Sequence, residues 1–150
     1  MGHKVIITGT TGMVGKGVLL ECMDHPLIES ILLVNRSSAN IKHPKVKEVL
    51  IRDFFNLSSL EKDLLGYDAC FFCLGITSLG ETEESYSKIT HDLTIHFAKT
   101  FLKLNDKSVF CYVSGTGTDS SEKGRSMWAR VKGKTENDLL SMGFKGAFMF

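Results

Sequence analysis

Short apolar runs alternate with longer amphipathic segments along the whole chain, so the pattern of hydrophobic and polar positions predicts strands and helices in turn. The apolar runs are rich in branched and aromatic side chains and are bounded by polar or glycine-containing turns, which is typical of buried β-strands. Six strands are predicted, over residues 4–8, 31–35, 46–51, 69–73, 108–113 and 146–150.

The amphipathic segments between these strands have the length and the capping residues of helices. Helices are predicted over residues 12–24, 58–65, 82–104 and 126–142. Ser58 or Ser59 is the expected cap of the second helix, and residues 114–124 form a polar, glycine-containing loop. Strands that are apolar throughout and separated by helices indicate an α/β fold, a doubly wound parallel sheet with right-handed crossovers and helices on both faces.

The last predicted strand, residues 146–150, is apolar and has no turn or capping residue behind it. Two explanations remain open: the sequence is a fragment of a longer protein, or a second subunit covers the surroundings of this strand. With 150 residues, of which 43% are hydrophobic, the chain is long enough for one core and short for two domains. We therefore expect residues 1–150 to form a single domain.

The charges are balanced, with 18 basic and 17 acidic residues spread along the chain and a formal net charge of +1. Such a balance gives no extended field that attracts nucleic acid or an anionic membrane, so neither is expected as a partner. No apolar run approaches the ~20 residues that span a bilayer, and the N-terminus lacks the pattern of a signal peptide. The expected location is cytoplasmic.

Neither the cysteines nor the histidines predict a metal site. The four cysteines lie in apolar segments without the spacing of a disulfide framework, which fits buried thiols in a reducing compartment: Cys22, Cys70, Cys73 and Cys111. Cys70 and Cys73 are three residues apart on a predicted strand, so their side chains face opposite sides of the sheet. His91 and His96 are separated by about 140° around a predicted helix and are expected to be partly exposed.

The stretch TGTTGMVG, residues 8–15, places three glycines at three-residue steps between the first strand and the first helix. Gly9 is suited to turn the chain, Gly12 to let a pyrophosphate approach the helix N-terminus, and Gly15 to let the helix pack tightly on the strand. A glycine-rich turn without a ligand is the alternative. The strand before, the helix after and the second strand at the right distance favour a dinucleotide site.

The end of the second strand bears on which dinucleotide is bound. Sites that prefer NAD place an acidic residue there for the ribose 2′-hydroxyl, whereas this chain has Asn35. Arg36 follows and is suited to a 2′-phosphate, with Ser37 and Ser38 as hydroxyl donors, so NADP is the predicted cofactor and NAD the alternative. The competing interpretation is that Arg36 is solvated in a surface turn, and Lys16 either adds charge to the site or faces water.

With Thr8 ahead of its glycines, TGTTGMVG resembles the TGxxGxxG fingerprint of the short-chain dehydrogenase/reductase superfamily, in its extended or atypical, epimerase-like branch, and the resemblance covers the whole chain. It implies a Rossmann-like sheet with strand order 3-2-1-4-5-6. The implied cofactor contacts come from the glycine turn, the ends of the second, third and fourth strands, and a lysine on the last helix. They are Gly9, Thr11, Gly12, Met13, Val14, Gly15, Asn35, Arg36, Ser37, Asp53, Phe54, Leu74, Gly75, Ile76 and Lys132.

The same resemblance implies where the adenine, the nicotinamide ribose and the substrate lie. Asp53 is expected at the adenine, and Leu74 to Ile76 beside the nicotinamide ribose. Ser114 matches the serine that ends the fifth strand, and Lys132 matches the lysine of the YxxxK pair, which lowers the tyrosine pKa and holds the ribose. Trp128 stands where the tyrosine belongs, and an indole has no acid–base function near neutral pH, so the usual proton relay is not expected.

The leading functional hypothesis is an NADP-preferring oxidoreductase or epimerase-like protein that transfers hydride between the cofactor and a small carbonyl, alcohol or sugar-type substrate. The alternative is a regulatory or scaffold protein that senses NADP without turnover, which Trp128 favours. A third hypothesis is an inert fragment of a reductase, because the resemblance implies that a C-terminal substrate-binding part is absent. In that case the helices 82–104 and 126–142 are expected to pair in a homodimer.

Overall fold

Six parallel strands form a single sheet in the computed structural model, which describes residues 1–150. The strands are β1 His3–Thr8, β2 Ile28–Asn35, β3 Val46–Leu50, β4 Ala69–Phe72, β5 Val109–Tyr112 and β6 Gly146–Met149. They lie in the order β3-β2-β1-β4-β5-β6, which confirms the predicted doubly wound sheet. The first three strands are added towards one edge of the sheet and the last three towards the other, so the order of addition switches between β1 and β4. Ligands of open α/β sheets bind beyond the carboxyl ends of the strands at such a switch point.

The helices also follow the prediction, with one interruption. They are α1 Met13–Asp24, α2 Glu61–Leu64 after a 3₁₀ turn at Ser58–Leu60, α3 Glu83–Ser87, α4 Leu93–Leu104 and α5 Met127–Leu140. A π-helical turn, Lys88–Asp92, joins α3 to α4 within the predicted helix 82–104. A capping box starts this helix, because the Thr82 hydroxyl accepts the Ser85 N–H and the Ser85 hydroxyl accepts the Thr82 N–H, both at 3.1 Å.

The main apolar core lies on the side of the sheet that α4 and α5 cover. Phe72 of β4 is at its centre, with ring centroids 5.4 Å from Phe97 of α4 and 5.8 Å from Phe110 of β5. A smaller core lies on the other side, where Leu19 of α1 packs on β1 and β2. The carboxyl-terminal halves of β1 and β2 are buried from both sides, which explains why these strands are apolar throughout.

The prediction of helices on both faces of the sheet is confirmed, with α1 on one face and α2, α4 and α5 on the other, but the face that carries α1 is only partly covered at β4, β5 and β6. The buried helical residues of the smaller core all belong to α1, which packs on the β1–β2 half. Phe71 and Cys73 are only half-buried on this face, and Phe148 of β6 is 52% exposed. An apolar strand has the same sequence whether or not a helix covers it, so hydropathy could not reveal this difference.

Other expectations are confirmed with small shifts in bounds. β2 begins at Ile28, three residues before the predicted start, and the remaining strands begin and end within one residue of the prediction. Cys70 lies in the main core while Cys73 packs against the smaller one, so the two thiols face opposite sides of the sheet as predicted. None of the helices combines the length and the hydropathy needed to cross a bilayer.

His91 is more enclosed than the sequence indicates. Its side chain is 13% exposed, and its ring nitrogens lie 2.7 Å from a carboxylate oxygen of Asp92 and 2.6 Å from one of Asp138. Asp138 belongs to α5 and also pairs with Lys134 at 3.2 Å. This cluster fastens the π-helical turn to α5, a contact between distant segments that helical periodicity does not predict.

Candidate nucleotide-binding site

Two of the three glycines in the turn after β1 are required by the chain itself. Gly9 has a φ of +69°, and a Cβ there would lie 2.7 Å from the carbonyl carbon of Cys73, just beyond β4. A Cβ on Gly15 would lie 2.2 Å from the carbonyl oxygen of Gly9, so α1 begins in direct contact with the turn. A larger side chain at either position would push α1 or the end of β4 away from β1.

Gly12 differs because its surroundings are open. It precedes α1 without any side-chain cap, and a Cβ there would approach only the Gly9 carbonyl oxygen, at 3.4 Å. Met13 and Val14 are 89% and 44% exposed, and their N–H groups have no backbone acceptor. The first turn of α1 therefore presents free donors at the positive end of the helix dipole, an arrangement that suits a phosphate.

A cavity of about 510 Å³ opens beyond the carboxyl ends of β2, β3 and β4, at the same edge of the sheet as this turn, and no residue of the turn lines it. Six of the residues that the resemblance implies as cofactor contacts line it: Arg36, Asp53, Phe54, Leu74, Gly75 and Ile76. They come from three segments that are distant in sequence, and the parallel pairing of the strands brings them to one edge of the sheet. The volume is in the usual range of small-molecule sites.

Sequence reasoning missed the other residues of this cavity, which are Arg52, Phe55, Glu81, Ser85, Lys88, Ile89 and Leu93. Arg52 had a signal, since it stands directly before Asp53 and at the end of a predicted strand. Lys88 and Ile89 had none, because they lie in the π-helical turn, and an i to i+4 pattern does not predict where such a turn occurs.

A smaller cavity of about 270 Å³ lies between the glycine turn and the loop after β2. Thr11 and Lys16 line one side of it, and Ser38 and Ala39 line the other. Lys16 therefore faces the loop that was predicted to hold a 2′-phosphate. Ser37 is exposed and lines neither cavity.

Asn35 is 3% exposed, and its amide is occupied within the protein. Its Oδ1 accepts the N–H of Thr10 at 3.3 Å, and its Nδ2 donates to Thr10 Oγ1 at 2.6 Å and to Glu48 Oε1 at 2.9 Å. The side chain thus ties the glycine turn to β3 and lines neither cavity. Any effect of Asn35 on a ligand passes through Thr10 and Glu48.

Glu48 of β3 is an acidic residue that the sequence analysis did not connect with the site. Besides Asn35, its carboxylate accepts the Ser38 hydroxyl at 2.6 Å and the Ala39 N–H at 2.8 Å. Desolvation raises the pKa of Glu48, but these hydrogen bonds outweigh it and hold the pKa below its ordinary value. An ionised carboxylate therefore lies behind the loop where the end of β2 itself supplies none.

Asp53 and Phe54 have different surroundings although they are neighbours. One carboxylate oxygen of Asp53 accepts the N–H of Phe55 at 2.9 Å, and the residue is exposed at the cavity. Phe54 is 2% exposed, and its ring lies 6.1 Å from that of Phe97 in the main core. Asp53 is therefore accessible to a ligand, whereas the ring of Phe54 mainly supports the wall behind it.

Ser114 is the second residue after β5, and its hydroxyl donates to Glu136 Oε1. Thr118 donates to the other oxygen of the same carboxylate at 3.1 Å. Glu136 of α5 thus holds the loop after β5, and it lies outside the YxxxK spacing that directed the prediction. Because the Ser114 proton is directed at Glu136, the hydroxyl offers only lone pairs to a ligand in this arrangement.

Lys132 extends from α5 to the end of β5. Its Nζ donates to the Val113 carbonyl oxygen at 3.1 Å and lies 4.7 Å from the centroid of the Tyr112 ring. Burial lowers the pKa of Lys132 to about 8, and the charge of Glu136 opposes this shift. The ammonium therefore stays mostly charged at pH 7 but releases its proton at a lower pH than an exposed lysine does.

Trp128 packs against the loop after β5. A Cβ on either Gly115 or Gly117 would lie 3.9 Å from its indole ring. Ser114, Trp128 and Lys132 line neither the larger nor the smaller cavity. The structure therefore brings the expected cofactor contacts of the strand ends together, and holds the expected catalytic residues in a separate cluster beside β5.

The sequence has relatives of greater length. No protein-family model matches the chain. It is 28% identical over 148 residues to protein fmp52-1, mitochondrial, of Aspergillus terreus, covering 95% of this chain and 62% of the relative. It is 32% identical over 142 residues to leucinostatins biosynthesis cluster protein T of Purpureocillium lilacinum, covering 92% and 51% respectively. Protein HTATIP2 of Rattus norvegicus is 24% identical over 149 residues, with coverage of 98% and 60%.

These coverages mean that the chain spans only about half to three-fifths of the length of such relatives. Five fungal relatives are named as mitochondrial proteins, three from Aspergillus species and two from yeasts. This finding overturns the cytoplasmic location that the sequence analysis expected. A balanced charge and the lack of a signal-peptide pattern carry no information about an organelle.

Solved structures with the same fold include nucleotide-dependent enzymes. A short chain dehydrogenase from Burkholderia cenocepacia, solved with NADP, superposes with a TM-score of 0.74 over 99% of this chain and 70% of its own, at 12% identity. A uronate dehydrogenase from Agrobacterium tumefaciens, solved with NAD, gives 0.71 over 91% and 54%, at 16% identity. A UDP-N-acetylglucosamine 4-epimerase from Methanobrevibacter ruminantium gives 0.72 over 97% and 54%, at 18% identity.

The strand order, the glycine turn and these comparisons agree with one another. The chain has the fold of these solved dehydrogenases and epimerases, which agrees with its resemblance to the extended, epimerase-like branch of the short-chain dehydrogenase/reductase superfamily.

Proposed function

We propose that residues 1–150 are a dinucleotide-binding domain that holds a nicotinamide dinucleotide across the glycine turn and the 510 Å³ cavity. The observation that carries the proposal is the open first turn of α1, uncapped at Gly12, which lies at the same edge of the sheet as a cavity at the carboxyl ends of β2, β3 and β4. Free N–H donors fit a pyrophosphate, and the strand ends fit the rest of a dinucleotide. Solved neighbours that contain NAD or NADP support this choice of ligand.

Different residues of the site are proposed to contact different parts of such a ligand. Met13 and Val14 supply backbone donors for the pyrophosphate, and Asp53 supplies an exposed carboxylate for the adenine. Arg36 is exposed at the cavity, and its guanidinium suits the 2′-phosphate of NADP. Lys16 and Arg52 add positive charge around the same end, so NADP is the proposed cofactor.

The proposed chemistry is that of an oxidoreductase or epimerase-like protein. A bound nicotinamide supplies a carbon that accepts or donates hydride. Ser114 is proposed to orient the substrate oxygen: its lone pairs can accept the hydroxyl of an alcohol or sugar-type substrate, whereas a small carbonyl would need its proton, turned away from Glu136. Lys132 is proposed to hold the ribose. Sugar-type substrates are included because the solved neighbours comprise a uronate dehydrogenase and a nucleotide-sugar epimerase.

One observation favours a second function, a protein that senses the nucleotide without turnover. Trp128 packs on the loop after β5 and has no acid–base function near neutral pH. The Ser114 proton is directed at Glu136, so the hydroxyl does not stand ready to protonate a substrate oxygen. Turnover of any carbonyl in a broad panel would exclude this second function.

Two further proposals concern the surroundings of the protein. The names of the fungal relatives support a mitochondrial location for this chain. A homodimer that pairs α4 and α5 is the proposed assembly to test. Cell fractionation and light scattering of the purified chain would measure these two properties directly.

Isothermal titration of the purified chain with NADPH and with NADH tests the proposed function. We expect both to bind, with NADPH the tighter ligand, and Arg36→Ala to weaken NADPH about tenfold or more while changing NADH by less than about twofold. Lys99→Ala, which removes an exposed cation of α4, is the matched control. Absence of binding by either nucleotide to the folded chain would refute the proposal.

A further inference from the structure

The loop after β2 is held by a carboxylate from the neighbouring strand. Glu48 of β3 accepts three hydrogen bonds, from Asn35 Nδ2 at 2.9 Å, Ser38 Oγ at 2.6 Å and the Ala39 N–H at 2.8 Å. Asn35 continues the network to Thr10 of the glycine turn. One ionised group therefore connects the two walls of the smaller cavity.

This network decides what Ser38 and Ala39 offer to a ligand. Both line the smaller cavity, opposite Thr11 and Lys16. The hydroxyl proton of Ser38 and the N–H of Ala39 are already donated to Glu48, so neither is free for a phosphate oxygen. Ser38 Oγ also accepts the Asn40 N–H at 3.0 Å, so one lone pair remains, which can accept a hydrogen bond from a sugar hydroxyl but repels the oxygens of a phosphate.

The positive residues of the site act in the opposite direction. Arg36 and Arg52 leave adjacent parallel strands, where Asn35 of β2 pairs with Leu50 of β3, and both line the larger cavity. Together with Lys16 they attract a 2′-phosphate. The adenosine end of the site thus combines cations that favour NADP with an acceptor, Ser38, and the negative charge of Glu48, which favour a free 2′-hydroxyl.

We propose that Glu48 is a specificity-determining residue, whose charge and hold on Ser38 limit the preference for NADP and keep NAD a usable ligand. The inference rests on the proposed function, because it concerns the same dinucleotide site. Glu48 acts from behind the loop as a positioning residue and needs no contact with the ligand itself. It replaces, from β3, the acidic group that is missing at the end of β2.

Glu48→Gln removes the negative charge of this side chain and keeps its size and shape. The amide oxygen of glutamine can still accept from Asn35 and Ala39, and its amino group can donate to Ser38, which frees the Ser38 proton to turn towards the cavity. We therefore expect Glu48→Gln to raise the ratio of NADPH to NADH affinity about tenfold, mainly through tighter NADPH binding. Glu61→Gln, which removes an exposed charge on α2 outside both cavities, should leave the ratio unchanged.

Titration calorimetry with NADPH and NADH on the wild type, Glu48→Gln and Ser38→Ala is the test. Ser38→Ala removes the acceptor without touching the carboxylate, and we expect it to raise the same ratio about threefold by weakening NADH. It remains informative if Glu48→Gln fails to fold. If both nucleotides bind the wild type but the folded variants keep its ratio within about twofold, the role of Glu48 is refuted and the proposed function stands. If neither nucleotide binds the folded wild type, both proposals fail.

Discussion

Replacing Lys132 by Met tests whether burial of this ammonium costs stability. Lys132 reaches from α5 to the Val113 carbonyl, 3.1 Å away, and its pKa falls from 10.5 to about 8 because of burial. Met has a similar length and no charge, so it fills the same space without a desolvation penalty. The substitution therefore removes a cost as well as two favourable contacts.

The magnitude follows from the pKa. A fall from 10.5 to about 8 is about 2.5 units, which at ~1.36 kcal/mol per unit gives a penalty of about 3 kcal/mol while the lysine is charged. The lost hydrogen bond to Val113 and the lost contact with the Tyr112 ring are each worth about 1 kcal/mol. We therefore expect Lys132→Met to raise the free energy of unfolding by about 1 kcal/mol at pH 7.

The pH dependence gives the sharper result. The folded state releases the Lys132 proton near pH 8, whereas the unfolded state keeps it until about 10.5, so the unfolded state binds more protons between these values. The penalty is complete below pH 8, and the wild type gains up to about 3 kcal/mol of stability from this group as pH rises to 10.5. Lys132→Met lacks this gain.

Urea unfolding of both proteins at pH 7 to 10.5 measures the difference. The buried thiols of Cys70, Cys73 and Cys111 have raised pKa values and lower the stability in the same range, but they are common to both proteins and cancel. Lys99→Met, at an exposed position of α4, is the control and should change stability by less than about 0.5 kcal/mol. Parallel pH curves for the wild type and Lys132→Met would refute the reasoning.

Two further substitutions test the turn and the loop that the account depends on. Gly15→Ala should lower the free energy of unfolding by about 3 kcal/mol or more, because its Cβ would lie 2.2 Å from the Gly9 oxygen. Gly17→Ala in the same helix meets nothing within 4 Å and should stabilise by about 0.5–1 kcal/mol, so equal urea midpoints for the two variants would contradict the assignment. Glu136→Gln should lower the Lys132 pKa further below about 8, because the Glu136 charge raises it. It should also weaken the loop after β5, and an unshifted pH curve of urea unfolding would argue against this coupling.

Local signals in the sequence were sufficient for the order of elements and the glycine turn. The step of three between Gly9, Gly12 and Gly15 acts within one short turn: Gly9 has the positive φ and Gly15 the close contact that the turn needs, while Gly12 leaves the start of α1 open. The strand ends were also predictable, because parallel pairing places successive carboxyl ends at one edge. Arg36 and Asp53 therefore line one cavity although 17 positions separate them.

Contacts between elements were not predictable from the same signals. Glu48 reaches Asn35 only because β3 lies beside β2. That pairing decides whether the Glu48 carboxylate is solvated or accepts hydrogen bonds from the loop after β2. Glu136 reaches Ser114 across 22 positions, from α5 to the end of β5. Periodicity fixes which face of α5 is apolar but not which polar group touches which loop.

The partly covered face of β4, β5 and β6 shows a second property that the sequence could not predict. Phe71 and Cys111 alternate with Cys70 and Phe110 on β4 and β5, and all four are apolar. The main core covers Cys70 and Phe110, while Phe71 is only half-buried on the opposite face. Composition indicates what a strand can bury, and the arrangement of helices decides what it does bury.

The central claim is that a nicotinamide dinucleotide lies across the first turn of α1 and the larger cavity. Two-dimensional ¹H–¹⁵N NMR of the labelled chain during titration with NADP⁺ tests it at the level of single amides. We expect the largest shifts at Gly12, Met13 and Val14, with further shifts at Asp53 and Gly75, and none of that size in α2. Shifts confined to other surfaces, or an unchanged spectrum with excess nucleotide, would contradict the account.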